Sequence, residues 1–263
     1  MFRDVWTKTL WDNRRSLLGW AVGLIGVTLV YGAFYPYMAE PGYADLLDTL
    51  PQGLIEAMGW EDFTSAEGYM GAAVFGVLGQ VLTVVMAVGL GARMIAGDEE
   101  TGGMELLIAH PVSRRRVVIQ RAVSLTLSMA LAGSVVFLAV LALSEPIDLG
   151  IPVGNLAAAS FQMALLGLVF GALAMAVGGI RGRRGLVVGV TAAAAVVAYL
   201  ADTVAPMVEA LTWIEDLSPF DWYEPTAILR DGVTTGDALL SLGVVVFFVA
   251  VAAVAFDRRD VGV

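Results

Sequence analysis

Residues 97–116 read Gly-Asp-Glu-Glu-Thr-Gly-Gly-Met-Glu-Leu-Leu-Ile-Ala-His-Pro-Val-Ser-Arg-Arg-Arg, a polar loop between two long apolar segments. The loop combines four carboxylates, a short apolar run, a proline and three arginines. Of the 263 residues, 58% are hydrophobic and 15% are charged, whereas soluble domains average about 25% charged residues. This balance indicates a helical membrane protein. A large soluble protein with buried helices is the weaker alternative, because it would not need repeated uncharged runs.

Six apolar runs on either side of this loop are long enough to cross the hydrocarbon of a membrane, which takes about 20 helical residues. They are Leu17–Tyr35, Gly71–Ala92, Ala122–Leu143, Leu156–Ile180, Gly185–Ala201 and Ala238–Phe256. The end of the fifth run is left open, since residues 203–211 continue its apolar character past Asp202. The predicted fold class is therefore all-α, with residues 1–263 forming one transmembrane domain of six spans.

The basic residues fix the orientation of these spans. If the spans alternate in direction, fourteen of the fifteen lysines and arginines fall on one side, and Arg230 is the exception. The positive-inside rule identifies that side as the cytoplasm, so both termini are predicted to be cytoplasmic. Seventeen of the 25 carboxylates fall on the opposite side. Two interpretations of that acidic side stay open: attraction of cations, or the favoured one, adaptation to high salt.

The first sixteen residues predict a short amphipathic helix. Phe2, Trp6 and Leu10 recur at helical spacing, and charged residues fill the opposite face. A helix of this kind lies well in the plane of the membrane interface. Residues 1–16 are therefore predicted to form an interfacial helix before the first span, and a frayed tail is the alternative.

Two outer segments are predicted to form short helices on the outer face. Between Pro41 and Trp60, leucine, isoleucine and methionine residues recur at helical intervals. Residues 202–237 precede the last span and mix aromatic residues with carboxylates and prolines, a composition that suits the headgroup level.

Some side chains inside the predicted spans bear on packing. Gln80 and Gln162 are polar groups within apolar runs. They are interpreted as contacts between helices, with substrate contacts as the alternative. Glycines four residues apart indicate faces where helices approach closely, at Gly19/Gly23, Gly167/Gly171 and Gly185/Gly189.

The residues needed for catalysis or metal binding are missing from the sequence. A phosphate-binding loop needs a glycine-rich approach to a lysine, and the single lysine, Lys8, has no upstream glycines. The chain has no cysteine and one histidine, His110, so it lacks the residues for a multi-histidine metal site or a histidine-dependent triad. No catalytic, cofactor-binding or metal-binding residue is predicted. No acidic or basic residue lies deep within a predicted span, which argues against an ion-driven carrier.

The loop itself predicts a short helix with an apolar edge. Met104, Leu107 and Ile108 share one face at i, i+3, i+4 spacing. Pro111 ends the turn, and Ser113 is placed to cap the helix of the third span. The exposed edge either receives a soluble partner or rests on the membrane interface.

Residues 96–114 closely resemble the signature E-x-x-x-G-T-L-E-L-L-L-A-x-P-V-S-R of type-2 ATP-binding-cassette permeases, with Gly103-Met104 in place of threonine-leucine. The likeness extends to the interfacial helix, the six spans, the outer helices and the Ser218-Pro219-Phe220 stretch. It implies that residues 97–111 form a coupling helix between spans 2 and 3 that docks on a separate ATPase. The residues expected to dock are Glu99, Glu100, Gly103, Met104, Glu105, Leu107, Ile108, His110 and Pro111, and those of the family's elbow helix are Phe2, Trp6 and Leu10.

The resemblance also implies a function: the permease subunit of an exporter in the cytoplasmic membrane, moving a hydrophobic or amphipathic substrate such as a drug or lipid. The expected partners are two copies of an ATP-binding subunit that hold ATP and Mg, a second permease in a homodimer, and membrane lipids. Nucleic acid is not expected. Two other functions stay open, a non-transporting scaffold of an ATPase assembly and a stand-alone channel or secondary carrier.

Overall fold

A computed structural model describes residues 4–40, 42–43, 49, 51, 62–100, 113–232 and 234–259. Within these ranges the chain is helical and has no β-strand. The principal helices are α1 (Val5–Met38), α2 (Ala66–Glu100), α3 (Arg114–Ser144), α4 (Val153–Ile180), α5 (Arg184–Val204), α6 (Pro225–Asp231) and α7 (Thr235–Arg258). The turns between α5 and α6 are short helical pieces, Ala205–Met207, Glu209–Leu211 and Thr212–Glu215.

Six of these helices, α1 to α5 and α7, are long and apolar enough to cross a membrane. The predicted all-α fold with six spans is thereby confirmed. The short helical pieces between α5 and α7 fall within the outer segment predicted for residues 202–237. The outer helix predicted between Pro41 and Trp60 lies almost wholly outside the described residues.

The bundle is built around α4. About 83% of the most apolar 18-residue stretch of α4 is buried inside the protein, whereas the same share is 11% for α5 and 22% for both α1 and α7. Helices α2, α3, α5 and α7 all pack against α4, while α1 packs mainly on α3. The continuous core therefore runs along α4, and the outer faces of α1, α5 and α7 are exposed on the outside of the bundle.

Small residues explain why α4 occupies the centre. A Cβ atom at Gly167 would lie 2.6 Å from Thr83 of α2, and one at Gly179 would lie 2.9 Å from the carbonyl oxygen of Ala252 on α7. In a membrane, where apolar burial between helices contributes little, this close backbone approach is a main source of packing energy. Of the three predicted glycine pairs, Gly167/Gly171 makes such contacts. The pairs Gly19/Gly23 and Gly185/Gly189 have nothing within 4 Å.

A leucine at Gly171 is expected to destabilise the protein by about 1–3 kcal/mol through overpacking. A Cβ atom there would already lie 2.8 Å from Cδ2 of Leu125 and 3.3 Å from the carbonyl oxygen of Ala87. The matched control is Gly189→Leu, on the open face of α5, which is expected to leave the melting temperature unchanged. Thermal unfolding of the detergent-solubilised chain measures both, and equal melting temperatures would contradict this packing.

The helix boundaries differ from the predicted spans. Residues 5–38 form one helix of 34 residues, about 50 Å long, which exceeds the hydrocarbon thickness by roughly 20 Å. The interfacial segment and the first span are thus continuous in the structure. Likewise, α3 starts at Arg114, ahead of the predicted start of its span at Ala122. Helical hydrogen bonding satisfies the backbone without water, so helices continue past the apolar stretch into the polar boundary.

Candidate functional site

Three consecutive carboxylates end α2, and each contacts a different part of the bundle. Asp98 forms an ion pair with Arg121 of α3, whose side chain is only 2% exposed. Glu99 forms an ion pair with Arg259, directly after α7. Glu100 accepts a hydrogen bond of 2.8 Å from the backbone N–H of Arg184, the first residue of α5. A negative charge is favourable there, because the helix dipole is positive at its N-terminus.

The backbone that presents these carboxylates is unusual. Residues Arg93–Gly97 form a π-helical stretch immediately before them. A π-helical turn holds an extra residue, and such turns are rare and occur mostly at functional sites. The end of α2 is therefore a structurally distinct segment, placed directly before the loop.

Other chain segments join the same end of the bundle. Arg115 pairs with Asp257 of α7 at 2.9 Å, and Arg114 donates to the carbonyl oxygen of Arg259. The first amide of α1, from Val5, donates to the side chain of Gln120 at 2.7 Å. The starts of α1, α3 and α5 thus meet the ends of α2, α4 and α7, which is the arrangement that alternating spans require.

The opposite end of the bundle holds Arg230, the basic residue that the alternating spans are predicted to place on the outer side. Arg230, at the C-terminal end of α6, forms an ion pair with Asp62 ahead of α2. Asn155 of α4 donates to the carbonyl oxygens of Leu229 and Arg230 at 2.9 and 2.7 Å. These bonds fasten α6 to the outer end of the bundle.

The predicted docking residues divide into two groups. Glu99 and Glu100 lie at the end of α2 and bond within the chain. The remaining ones fall in residues 101–112, outside the described residues: Gly103, Met104, Glu105, Leu107, Ile108, His110 and Pro111. Ser113 does cap α3 as predicted, because its Oγ accepts a hydrogen bond of 3.4 Å from the N–H of Arg116.

Sequence reasoning missed Asp98, Arg121 and Arg259 as a set. One signal was available for Arg121: it stands seven residues into α3, beyond the loop arginines and beside an apolar run. A basic residue in that setting needs an acidic partner. Nothing in the sequence identified Asp98 as that partner.

Of the predicted elbow residues, Trp6 and Leu10 belong to the first turns of α1 and are partly buried. The carbonyl oxygen of Trp6 accepts a hydrogen bond of 3.0 Å from Ser124 of α3. Phe2 lies outside the described residues. The first turns of α1 are thus attached to α3, and the interfacial position of residues 1–16 stays a prediction.

The predicted intramembrane glutamines are both buried. Gln162 of α4 donates through Nε2 to the carbonyl oxygen of Trp222 at 2.9 Å. Gln80 lies on α2. Gln162 therefore attaches the central helix to the segment before α6.

That segment, residues 218–223, enters the bundle from its outer end. Ser218 donates to the carbonyl oxygen of Ala198 on α5 at 2.9 Å. The ring of Phe220 packs against Phe170 of α4, with 5.4 Å between ring centroids. Tyr223 is 1% exposed, and its hydroxyl donates to the carbonyl oxygen of Phe75 on α2 at 2.9 Å. Residues 218–223 thus link α2, α4 and α5 at the outer end.

The acidic residues around this segment influence one another. Burial raises the pKa of Asp221, and the negative charges of Glu215 and Asp216 raise it further. No group of three or more histidine, cysteine, aspartate or glutamate side chains within the described ranges has metal-binding geometry.

The six-span bundle, with its charged end before the loop, defines a multi-pass α-helical membrane protein. The model of the ABC-2 family transporter proteins matches residues 4–261, and the chain belongs to that family. It is a permease component, in agreement with the resemblance seen in residues 96–114. No curated protein matches the chain.

Proposed function

We propose that the chain is the membrane subunit of an ATP-driven exporter and that ATP-binding subunits dock on the loop of residues 97–111. The observation that carries this proposal is the position of the loop. It leaves α2 at the end of the bundle where the arginine-rich segments meet. By the positive-inside rule this end faces the cytoplasm, where ATP is available.

The chain lacks the lysine-containing phosphate loop that would hold ATP. ATP and Mg therefore bind in the partner, in two copies, one for each permease of a homodimer. Both termini lie in the cytoplasm, and the complex is in the cytoplasmic membrane. ATP binding closes the two partner subunits, the loop moves with them, and the spans reorient to release a hydrophobic or amphipathic substrate.

A stand-alone channel or secondary carrier fits the buried charges less well. A carrier driven by ions uses ionisable groups along its spans. Among the described residues, Arg121 is the one charged side chain that is fully buried, and it pairs with Asp98 near the start of α3. This distribution supports an external energy source.

Co-expression with an ATP-binding subunit encoded beside this chain tests the proposal, because the two are expected to co-purify in detergent. Leu107→Asp places a charge on the apolar edge and is expected to abolish co-purification while membrane insertion continues. The matched control is Leu106→Asp, since residue 106 falls on the opposite face of the predicted loop helix. Association of Leu107→Asp at the parent level would contradict docking on this edge. Association without any transport would favour the scaffold function.

A further inference from the structure

The end of α2 is fastened to other helices by Arg259, at the described C-terminal end of the chain. We propose that Arg259 is a positioning residue that latches the start of the docking loop to α7 and to the turn between α4 and α5. This latch rests on the proposed function, because it concerns how movement of the loop reaches the spans.

Arg259 bonds to four residues in three other helices. Its Nη2 pairs with Glu99 of α2. Its Nη1 donates to the carbonyl oxygens of Gly178 and Gly179, at 3.3 and 3.4 Å, at the end of α4. Its own carbonyl oxygen accepts a hydrogen bond from Arg114 of α3. One residue therefore links the ends of α2, α4 and α7 with the start of α3.

The turn between α4 and α5 is shaped around this ion pair. A Cβ atom at Gly182 would lie 2.2 Å from Oε2 of Glu99 and 2.5 Å from Nη2 of Arg259. These distances are below van der Waals contact, so a side chain at position 182 requires the flexible ends of Glu99 and Arg259 to shift. Glycine at position 182 therefore allows the turn to approach the Glu99–Arg259 pair closely.

The ion pair between Arg259 and Glu99 is partly buried, so each charge depends on the other for compensation. The side chains of Arg259 and Glu99 are 22% and 24% exposed, so solvent and salt screen the pair less than an open surface pair. Oε2 of Glu99 is buried and has no hydrogen-bond partner within the described residues. Removing Arg259 would leave a poorly solvated carboxylate without its counter-charge, which is strongly unfavourable.

The pair couples the end of α2 to α7 and α4. Because Glu99 lies in the last turn of α2, directly before the loop, a shift of the end of α2 carries α7 and the end of α4 with it as long as the pair holds. A broken pair lets the loop move without these helices. When two sites are coupled, an event at one site typically changes the affinity at the other by about 5-fold or more.

The latch is tested in the complex of permease and ATPase, reconstituted in lipid nanodiscs. Arg259→Gln is expected to retain co-purification but to lower permease-dependent ATP hydrolysis at least about 5-fold. Gly182→Ala shifts the ends of both side chains while every charge is retained, and it is expected to lower hydrolysis less than Arg259→Gln does. Arg259→Lys is expected to recover part of the activity. The control, Arg258→Gln, removes the same charge from an exposed neighbouring side chain and is expected to behave like the parent. Parent-like hydrolysis in Arg259→Gln would overturn the latch.

A second measurement needs no ATPase, so it separates failure of the latch from failure of the proposed function. The chain has no cysteine, so Arg93→Cys and Val254→Cys place spin labels on exposed positions of α2 and α7. The distance distribution between the labels is expected to be narrow in the parent and in Arg258→Gln. It is expected to broaden in Arg259→Gln and Gly182→Ala. A parent that binds no ATPase would refute the proposed function, whereas unchanged distributions in both latch variants would refute the latch.

Discussion

Replacing Asp98 with asparagine is expected to destabilise the protein by about 3–5 kcal/mol, because it leaves a buried charge without its partner. The side chain of Arg121 is 2% exposed, and its Nη2 pairs with Asp98. Its Nε and Nη1 atoms are buried without hydrogen-bond partners in the described part of the chain. The guanidinium stays charged at any accessible pH, so neutral asparagine leaves it uncompensated.

Replacing Arg121 instead of Asp98 is expected to destabilise the protein much less. Arg121→Met removes the buried charge and fills most of its volume, while Asp98, 43% exposed, remains in contact with water. Replacing buried ionic groups by apolar ones of similar size is often neutral. The double variant is therefore expected to recover most of the stability lost in Asp98→Asn. Unfolding of the purified chain in mixed micelles measures all three variants, and equal losses in the two single variants would contradict the asymmetry.

The number and order of the spans could be predicted from the sequence because each follows from a local property. Apolar runs near 20 residues predict helices across the hydrocarbon, and six such helices are present. The ends of the helices could not be predicted in the same way. Hydropathy stops at the first charged residue, but α2 continues as far as Glu100 and α3 begins at Arg114. Those extra turns are stabilised by ion pairs between helices.

The site was predictable only where its contacts are local. Ser113 caps α3 through an amide three residues away, and a serine before a helical run indicates that contact. The docking role predicted for Glu99 stays a prediction, and the sequence gives no sign of its pairing with Arg259, 160 positions along the chain. The partner of a carboxylate at that separation depends on how α2 and α7 pack, which a single sequence does not specify. The same holds for Gln162, whose partner, Trp222, lies 60 positions away.

Replacing Tyr223 with alanine is expected to cost about 3–5 kcal/mol, the usual range for a buried aromatic residue cut back to alanine. Tyr223 is 1% exposed, and it joins the segment before α6 to the first part of α2. Its hydroxyl donates to the carbonyl oxygen of Phe75 at 2.9 Å. Phe75 lies in the π-helical stretch Gly71–Gly76, and Gly76 has φ −74° and ψ −132°, outside the helical region. The tyrosine hydroxyl therefore donates to a carbonyl directly beside a break in regular helix geometry.

Tyr223→Phe distinguishes the contribution of the hydroxyl to stability from that of the ring. It keeps the aromatic packing but leaves a buried carbonyl oxygen without this donor, which is expected to cost about 1–3 kcal/mol. Tyr199→Phe makes the same chemical change on α5, where the ring packs edge-on against Phe220 at 5.6 Å. The Tyr199 hydroxyl has no hydrogen bond within the described residues, so the cost is expected to be about 0.5 kcal/mol or less. Melting temperatures of both variants in the same detergent give the difference due to one hydrogen bond. A difference of zero would mean that the break in α2 does not depend on the outer segment, whereas the expected difference would identify Tyr223 as the contact that holds it.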